Sequence, residues 1–448
     1  MIFQNNGKDL LEQIFKQYYA EQDDNRYDSV TMLIDFYEND HIPYIRQKLN
    51  REPQSNDDFP YTFIPITRHI IKKKSLVYKK EPTRDMSESY LDWTKEKDHQ
   101  MKEAERQTRL VPVVAMRPYI VAGKDYFKYE IVRHFYGICD PLDKQSFKAI
   151  MYKLSVDHHD SYDELWAYWD DERFVIVNSN GVPIKEQEAF GGVADMKNPY
   201  GEIPFAFLRF NNIIDDCWVG GAYDIVNANW NIDIAMTDLN WLHRYASFKQ
   251  PIVIANASDL GKIKWGYDQA VFMTPNDNPQ GQAVEFDLLD LEANFENAFY
   301  LIQKQMDMIS MMSGVNLNWE LKGAPSGFSL VVKNMDLLMD WEDDIGFCRQ
   351  WERSLFEKEK IVLKTDAKRT FADKEISVNF ADVKFPVDPK ETRDQVDWEI
   401  ENNYSTGLDY MATQDQDATE DELKSKRDEN KKYNDEYAGT TPLTVINT

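Results

Sequence analysis

The chain has 448 residues, 42% of them hydrophobic and 13% aromatic, which is typical of a globular protein with a large buried core and excludes a disordered one. At about 150 residues per domain, this length predicts two to four domains. The formal net charge of −26 argues against tight binding of nucleic acid, since phosphate neutralisation needs clustered Lys and Arg. It does not exclude a protein that must stay near DNA without adhering to it.

The sequence lacks membrane, export and disulfide signals. No run of about 18 apolar residues occurs, which predicts that no segment spans a membrane. The first residues, MIFQNNGKDLLEQIF, do not have the charged-then-apolar layout of a signal peptide. Cys139, Cys217 and Cys348 are far apart in sequence. We therefore expect neither a disulfide framework nor a metal-binding knuckle. The same cysteine pattern predicts that the protein resides in a reducing compartment.

Apolar residues at helical spacing predict helices near the N-terminus, over 8–20, 27–49 and from Ile66 towards Val77. A polar helix is predicted over about 85–109. The helix after Ile66 carries a basic run, which is more typical of a solvated helix face than of a contact with DNA or a partner. The run and its extension comprise Arg68, Lys72, Lys73, Lys74, Lys79 and Lys80.

Between the polar helix and Asn212 the periodicity changes. Short segments rich in Val, Ile, Tyr, Phe and Trp, such as VPVVAM and RFVIV, alternate with turn residues. This pattern predicts an antiparallel sheet region. Pro199 and Gly201 predict a turn, and Pro204 begins the last strand.

Three long helices are predicted after the strands. No proline or glycine separates Gly221 from Pro251, which predicts one helix of about 27 residues, roughly 40 Å long. Short strands follow over 251–287, and then a second long helix that ends at Gly314. A third is predicted over about 327–364. The apolar stripe of the second helix is Phe295, Phe299, Ile302, Met306, Ile309 and Met312.

The loop LKGAPSGFS between the last two helices has the glycines of a phosphate cradle, but its spacing is wrong. A P-loop requires GxxxxGK[ST]. Gly323 and Gly327 are one residue too close, Phe328 stands where the lysine should be, and the polar NLNWELK precedes the loop instead of a buried strand. A nucleotide cradle is therefore excluded, and a connecting loop with one lysine, Lys322, remains.

Candidates for catalysis are weak. The DHHD stretch, Asp157 to Asp160, lies between strand-like segments and is interpreted as a turn, since neighbours on a strand point to opposite faces. In WEDD, Glu342, Asp343 and Asp344 are about 100° apart on a helix and predict a solvated face. GxSxG, HExxH, CxxC and GxGxxG are all absent. We expect no catalytic residues, metal or cofactor; the alternative is a metal-dependent nuclease or phosphotransferase that uses these carboxylates.

The order of these parts resembles the portal protein of tailed double-stranded DNA bacteriophages. Four stretches carry the resemblance: MLIDFYENDHIPYIRQK (Met32 to Lys48), ITRHIIKKKSLVYKKEP (Ile66 to Pro82), NPYGEIPFAFLRFNN (Asn198 to Asn212) and SGFSLVVKN (Ser326 to Asn334). They are similar to an early aromatic helix, a helix ending in Glu-Pro, an Asn-x-x-Gly-x-Ile-Pro-aromatic strand, and a Ser-Gly-x-x-Leu-x-x-Lys loop–helix junction. Together they span most of the first 350 residues.

The resemblance implies an α+β, mainly α, portal fold. Its wing consists of the N-terminal helices and strands, a two-helix stem carries a small strand-containing clip, a long wing helix lies behind the tunnel loop, and a helical crown comes last. The implied boundaries are 1–215 wing, 216–247 first stem helix, 248–287 clip, 288–314 second stem helix, 315–327 tunnel loop, 328–364 long wing helix, and 365–448 crown and C-terminal tail.

The resemblance also implies a ring, typically a dodecamer, at one capsid vertex, through which genomic DNA is packaged and ejected. The implied partners are the terminase large subunit, scaffolding protein, major capsid protein and head–tail adaptor, with no membrane. The protein would be in the host cytoplasm during assembly and then in the virion. Residues expected to face DNA are Lys322, Gly323, Ala324, Pro325, Ser326 and Gly327 in the tunnel loop, and Lys249, Lys262, Lys264 and Lys304 in stem and clip. Another neck or adaptor protein is a further alternative.

Overall fold

In the computed structural model, 54% of the described residues are helical and 15% lie in strands, which confirms the predicted α+β class, mainly α. Among the helices that the structure describes, none combines a bilayer-spanning length with an apolar composition. The described residues are 7–24, 26–50, 59–121, 123–140, 142–143, 146–154, 164–211, 217–218, 220–247, 250–254, 271–273, 285–289, 295–317, 335–381, 396–402, 404, 406–414 and 420–437.

The principal helices are α1 (Gly7–Asp24), α2 (Arg26–Glu38), α3 (Ile42–Lys48), α4 (Ile66–Lys74), α5 (Glu88–Trp93), α6 (Lys97–Leu110), α7 (Tyr223–Ser247), α8 (Phe295–Ser313), α9 (Met335–Val362), α10 (Gly407–Gln414) and α11 (Glu420–Tyr437). The strands are β1 (Thr83–Arg84), β2 (Val114–Ile120), β3 (Phe127–Val132), β4 (Tyr136–Cys139), β5 (Phe147–Lys153), β6 (Leu165–Asp170), β7 (Phe174–Asn178), β8 (Ala206–Leu208), β9 (Gln250–Ile254), β10 (Val271–Met273), β11 (Glu285–Leu289) and β12 (Val378–Asn379).

Three helices predicted as continuous are broken in the structure. Asn39, in the left-handed region at φ 72°, ends α2, so the helix predicted over 27–49 is two helices. After α4, the Ser75 hydroxyl donates to the Ile71 carbonyl and a short 3-10 turn, Val77–Lys79, follows. The polar helix predicted over about 85–109 begins at Glu88, where the Ser87 side chain caps α5, and a turn at 94–96 divides it into α5 and α6.

The strand-rich region forms two antiparallel sheets, as predicted. One is ordered β3–β2–β8 and the other is the meander β4–β5–β6–β7. Every residue of β6 is buried. Its alternate residues enter two different clusters, with Trp169 on one face, and Trp166 on the face that packs against Ile14 of α1. The meander is therefore covered on both faces.

Cys139 at the end of β4 forms a disulfide with Cys217, and their Cα atoms are 6.5 Å apart. The expectation that the cysteines form no disulfide is therefore wrong for this pair. Their separation of 78 positions in the sequence hid the pairing, because the two segments come together only in the folded chain. Cys348 is free and buried.

The second half of the described chain has the predicted long helices. α7 and α8 pack against each other, and a three-stranded sheet in the order β10–β9–β11 lies between them in sequence. β9 pairs parallel with β10 and antiparallel with β11. Gly314, at φ 65°, follows the last residue of α8, which confirms the predicted helix-ending glycine.

The chain divides into two compact units. The first comprises 1–320 and 336–383 and holds all the strands. The second comprises 321–335 and 384–448, and in its described part α10 packs against α11. In this second unit, the exposed rings of Trp398 and Tyr404 stack with centroids 5.6 Å apart.

Candidate functional site

Most residues predicted to face DNA lie outside the described residues, namely the loop Lys322 to Gly327 and Lys249, Lys262 and Lys264. Asp157 to Asp160 also lie outside them. Lys304 is described: it lies on α8, its side chain is 54% exposed, and its Nζ is 3.4 Å from Asp307. Within the described residues, no group of three His, Cys, Asp or Glu side chains is arranged to hold a metal ion.

One side of α8 is rich in exposed apolar residues. Ile302 and Ile309, which belong to the predicted stripe, are buried, but Phe299 and Met312 of the same stripe are exposed. We call the exposed surface the α8 apolar face. Its residues are Tyr300, Leu301, Met308, Met311 and Met312, and their exposed fractions range from 54% to 81%. A helix that is apolar on opposite sides is suited to packing between two neighbours.

Beside its buried apolar residues Val226 and Ile232, α7 carries a row of buried polar residues. Asn229, Asp233 and Thr237, one helical turn apart, are each fully buried. They bond the backbone of residues 62–65 and of the first turn of α4: the Thr67 amide donates to Asn229 at 2.9 Å, the Ile64 amide to Asp233 at 2.8 Å, and the Thr62 amide to Thr237 at 3.1 Å. Residues 62–65 belong to no strand, and amides in the first turn of a helix have no partner within the helix, so α7 side chains satisfy these groups.

His41 joins the same polar row. Its Nδ1 is 2.5 Å from an oxygen of Asp233, and its Nε2 is 3.0 Å from the Phe36 carbonyl oxygen. Both ring nitrogens of His41 therefore have an oxygen within hydrogen-bond distance. Burial raises the pKa of Asp233, and the bond from His41 opposes that shift. The row ties the end of α2 to the middle of α7.

The densest charge cluster in the described part of the chain lies between α9 and the N-terminal helices. Lys97 at the start of α6 is fully buried, and its ammonium lies 2.9 Å from both Glu352 and Glu359 of α9 and donates to the Tyr90 hydroxyl at 2.9 Å. Arg84 adds a second cation, with its guanidinium 2.6 Å from Glu352. Each buried carboxylate therefore meets a buried cation.

The electrostatics of this cluster follow from burial and its two cations. Burial alone would raise the pKa of Glu352, but Lys97 and Arg84 outweigh it and lower that pKa to about 2. Tyr90 and Tyr129 donate to Glu359, at 3.0 and 2.7 Å, and burial raises the pKa of both hydroxyls. The donors satisfy the carboxylate oxygens and hold α9 against α5, α6 and β3.

The predicted solvated face at WEDD is wrong for one residue. Glu342 and Asp343 are exposed, but Asp344 is buried and forms an ion pair with Arg109 of α6. The same arginine lies 3.8 Å from Glu105, whose carboxylate accepts from the backbone amides of the turn that follows α4. Burial raises the pKa of Asp344, and Arg109 opposes it. These contacts are a second ionic tie between α6 and α9.

A cavity of about 430 Å³ lies beside α9, and its charged wall residues are partnered. Lys358 is 2.6 Å from Glu202, and Lys148 is 3.5 Å from Asp140. Arg209 stacks over the Phe147 ring, 5.3 Å from its centroid, and burial lowers the pKa of this guanidinium to about 10. The pair between Lys358 and Glu202 joins α9 to the segment that precedes β8.

Sequence reasoning missed the buried ionic cluster. A signal was present, because Glu352 and Glu359 recur with Cys348 and Leu355 on one face of α9, and carboxylates within an apolar stripe need buried cations.

Compared with known proteins, the chain matches no family model, and no curated protein resembles it significantly.

Proposed function

We propose that this protein is the portal protein of a tailed double-stranded DNA bacteriophage, a ring subunit that forms a channel for DNA at one capsid vertex. The terminase, scaffolding, capsid and adaptor proteins are its proposed partners. The proposal rests on the four sequence stretches together with the order of parts: N-terminal helices, antiparallel strands, α7, a small sheet, α8, a loop and α9. In this role the protein is a structural conduit for DNA and catalyses no reaction.

The α8 apolar face is the observation that carries the proposal. A helix whose exposed side presents Leu301, Met308 and Met311 to water would leave a large apolar surface uncovered in a monomer. A different surface of the neighbouring copy in the ring would cover it. Heterologous contacts of this kind close into rings.

The ionic ties of α9 support the same assignment. A channel subunit must transmit force between its stem and its periphery without unfolding. The paired groups around Lys97 and Arg109 clamp α9 to the N-terminal helices, and the polar row of α7 holds the segment before α4. An isolated lysine such as Lys322 would contact DNA phosphates weakly, as a conduit requires.

The decisive experiment is negative-stain imaging of the purified protein, combined with a variant at the α8 apolar face. Rings with a central hole are expected for the unmodified protein. Met311→Glu is expected to reduce the ring fraction at least about tenfold, a cost of roughly 1.4 kcal/mol or more per interface, because it places a charge in an apolar contact.

The matched control is Leu142→Glu, since Leu142 is 93% exposed but lies in a loop away from α8. This control should assemble like the unmodified protein. Monomers under every condition tried, with and without scaffolding protein, would overturn the proposal. Rings that tolerate Met311→Glu would show that α8 is not at the interface.

A further inference from the structure

A pair of arginines on α9 has no partner among the residues that the structure describes. Arg349 and Arg353 are exposed and one helical turn apart, so their side chains are neighbours on one face. Neither guanidinium has a hydrogen bond, an ion pair or a ring contact with any residue that the structure describes. The pair is unusual in this acidic protein.

Several other arginines of the described chain are paired with carboxylates. Arg84, Arg117, Arg133 and Arg173 each form an ion pair with a nearby Asp or Glu. Two like charges one turn apart on a helix instead repel by a few tenths of a kcal/mol. In a chain with a net charge of −26, this pair is therefore an unneutralised positive feature.

The arginines line a groove of about 430 Å³. Its opposite wall is the segment Glu375–Val378, which leads into β12. That wall is fixed, because β12 pairs with β1 and the Asp85 amide donates to the Ser377 carbonyl at 3.2 Å. The groove therefore has a helical wall that carries two guanidiniums and an extended wall that carries a hydroxyl.

The carboxylates near the groove leave its positive charge largely uncompensated. Glu352, between the two arginines in sequence, points into the buried cluster and is committed to Lys97 and Arg84. Glu375 lines the groove but pairs with neither arginine. It would moderate the affinity for an anion without abolishing it.

We propose that this groove binds a phosphate group, specifically a phosphodiester of duplex DNA. Guanidiniums are planar forks that grip phosphate oxygens in pairs, and two forks at about 5–6 Å spacing can hold one phosphate or two successive ones. The open, polar groove suits a backbone that lies along it. It has no deep apolar pocket among its lining residues, which makes an acidic peptide the poorer ligand.

The choice of DNA as the phosphate source rests on the proposed function, but the groove can be tested separately. Binding of a fluorescein-labelled duplex of about 20 base pairs is measured by anisotropy at about 50 mM salt. Arg349→Gln with Arg353→Gln is expected to weaken binding about tenfold. It should also make the slope of log K against log salt shallower by about 2, since each lost phosphate contact removes about 0.9.

The matched control is Lys185→Gln with Lys197→Gln, which makes the same change in net charge at two exposed lysines away from the groove. It should bind within about twofold of the unmodified protein. If the double glutamine variant fails to fold by circular dichroism, Arg349→Lys with Arg353→Lys replaces it. That variant keeps the charge, loses the forks and is expected to bind about threefold more weakly.

Equal binding by the arginine variants and the unmodified protein would overturn the inference, as would no binding at all. Displacement of the duplex by polyglutamate at lower concentration than by unlabelled duplex would also overturn it, in favour of an acidic polypeptide. Displacement by millimolar pyrophosphate supports it. A failure to find rings would contradict the portal proposal, but it would not affect the conclusion drawn from duplex binding by the arginine variants.

Discussion

At the residue scale, the chain places ionisable groups where most proteins place apolar ones. Lys97, Glu352 and Glu359 are fully buried, and together with Arg84 they replace hydrophobic packing at the contact between α6 and α9. Such pairs contribute little net stability compared with apolar residues, but they fix one geometry, because any other leaves a charge unpaired. The ion pairs therefore fix the position of α6 relative to α9.

The substitution Lys97→Met tests whether the contact between α6 and α9 depends on these buried ion pairs. The methionine fills a similar volume, but Glu352 and Glu359 lose the ammonium that both contact. We expect the free energy of unfolding to fall by about 3–5 kcal/mol, the usual cost of leaving a buried charge unpaired. Urea denaturation followed by tryptophan fluorescence measures it.

The control for that substitution is Lys304→Met, which removes an exposed ion pair with Asp307. Exposed pairs contribute less than about 1 kcal/mol, so the two variants should differ clearly. A Lys97 variant as stable as the Lys304 variant would mean that Arg84 and the tyrosine hydroxyls suffice to stabilise the two glutamates.

Residue roles are where sequence reasoning was weakest. The helical spacing of α7 was visible, but it did not show that Asn229, Asp233 and Thr237 are buried, where they bond the backbone of residues 62–65 and of the first turn of α4. Likewise, Asp344 was expected to be solvated with its neighbours. Burial of a polar side chain depends on its partner, and the partners here are more than 160 residues away.

At the element scale, periodicity predicted the helices and strands well. The long helices α7, α8 and α9 and the antiparallel strands from β2 to β8 all occur where the pattern placed them. What the pattern missed were the interruptions after Glu38 and Lys74. A single Asn or Ser ends a helix there without disturbing the apolar repeat around it.

The disulfide between the end of β4 and Cys217 makes a prediction about these elements. Closing a 78-residue loop constrains the unfolded chain, and we expect about 2–4 kcal/mol of stabilisation. Adding dithiothreitol should therefore lower the thermal midpoint of the unmodified protein, measured by circular dichroism. Cys217→Ser should start lower and show no response to the reductant.

Cys348→Ser is the matched variant, because Cys348 is buried but free. It should keep the full response to dithiothreitol, whatever its own effect on stability. An unmodified protein whose midpoint ignores the reductant would show that the bond adds nothing to the folded state.

At the scale of the whole molecule, charge opposes assembly. Each protomer carries −26, so a closed ring gathers like charges that repel. In the proposed channel this charge is useful, since a basic bore would retain DNA. The arginine groove on α9 would be a local exception, positive against an acidic background.

Ring formation should therefore increase with salt. Raising sodium chloride from about 10 to about 150 mM shortens the screening length from roughly 30 to roughly 8 Å. The ring fraction in sedimentation velocity is expected to rise over this range, while the apolar contact at α8 is unaffected. Met311→Glu should remain unassembled at both salt concentrations. Rings that dissociate as salt rises would mean that ion pairs between protomers hold the ring.

The sequence by itself determined the fold class, the order of the long helices and strands, and the resemblance on which the portal proposal rests. These depend on local periodicity and composition, which a chain carries along its length. Only the tertiary structure decided which side of α8 is left uncovered, that Cys139 meets Cys217, that buried charges clamp α9, and that Arg349 and Arg353 stand unpaired. Each of these depends on groups far apart in sequence, and their proximity exists only once the chain is folded.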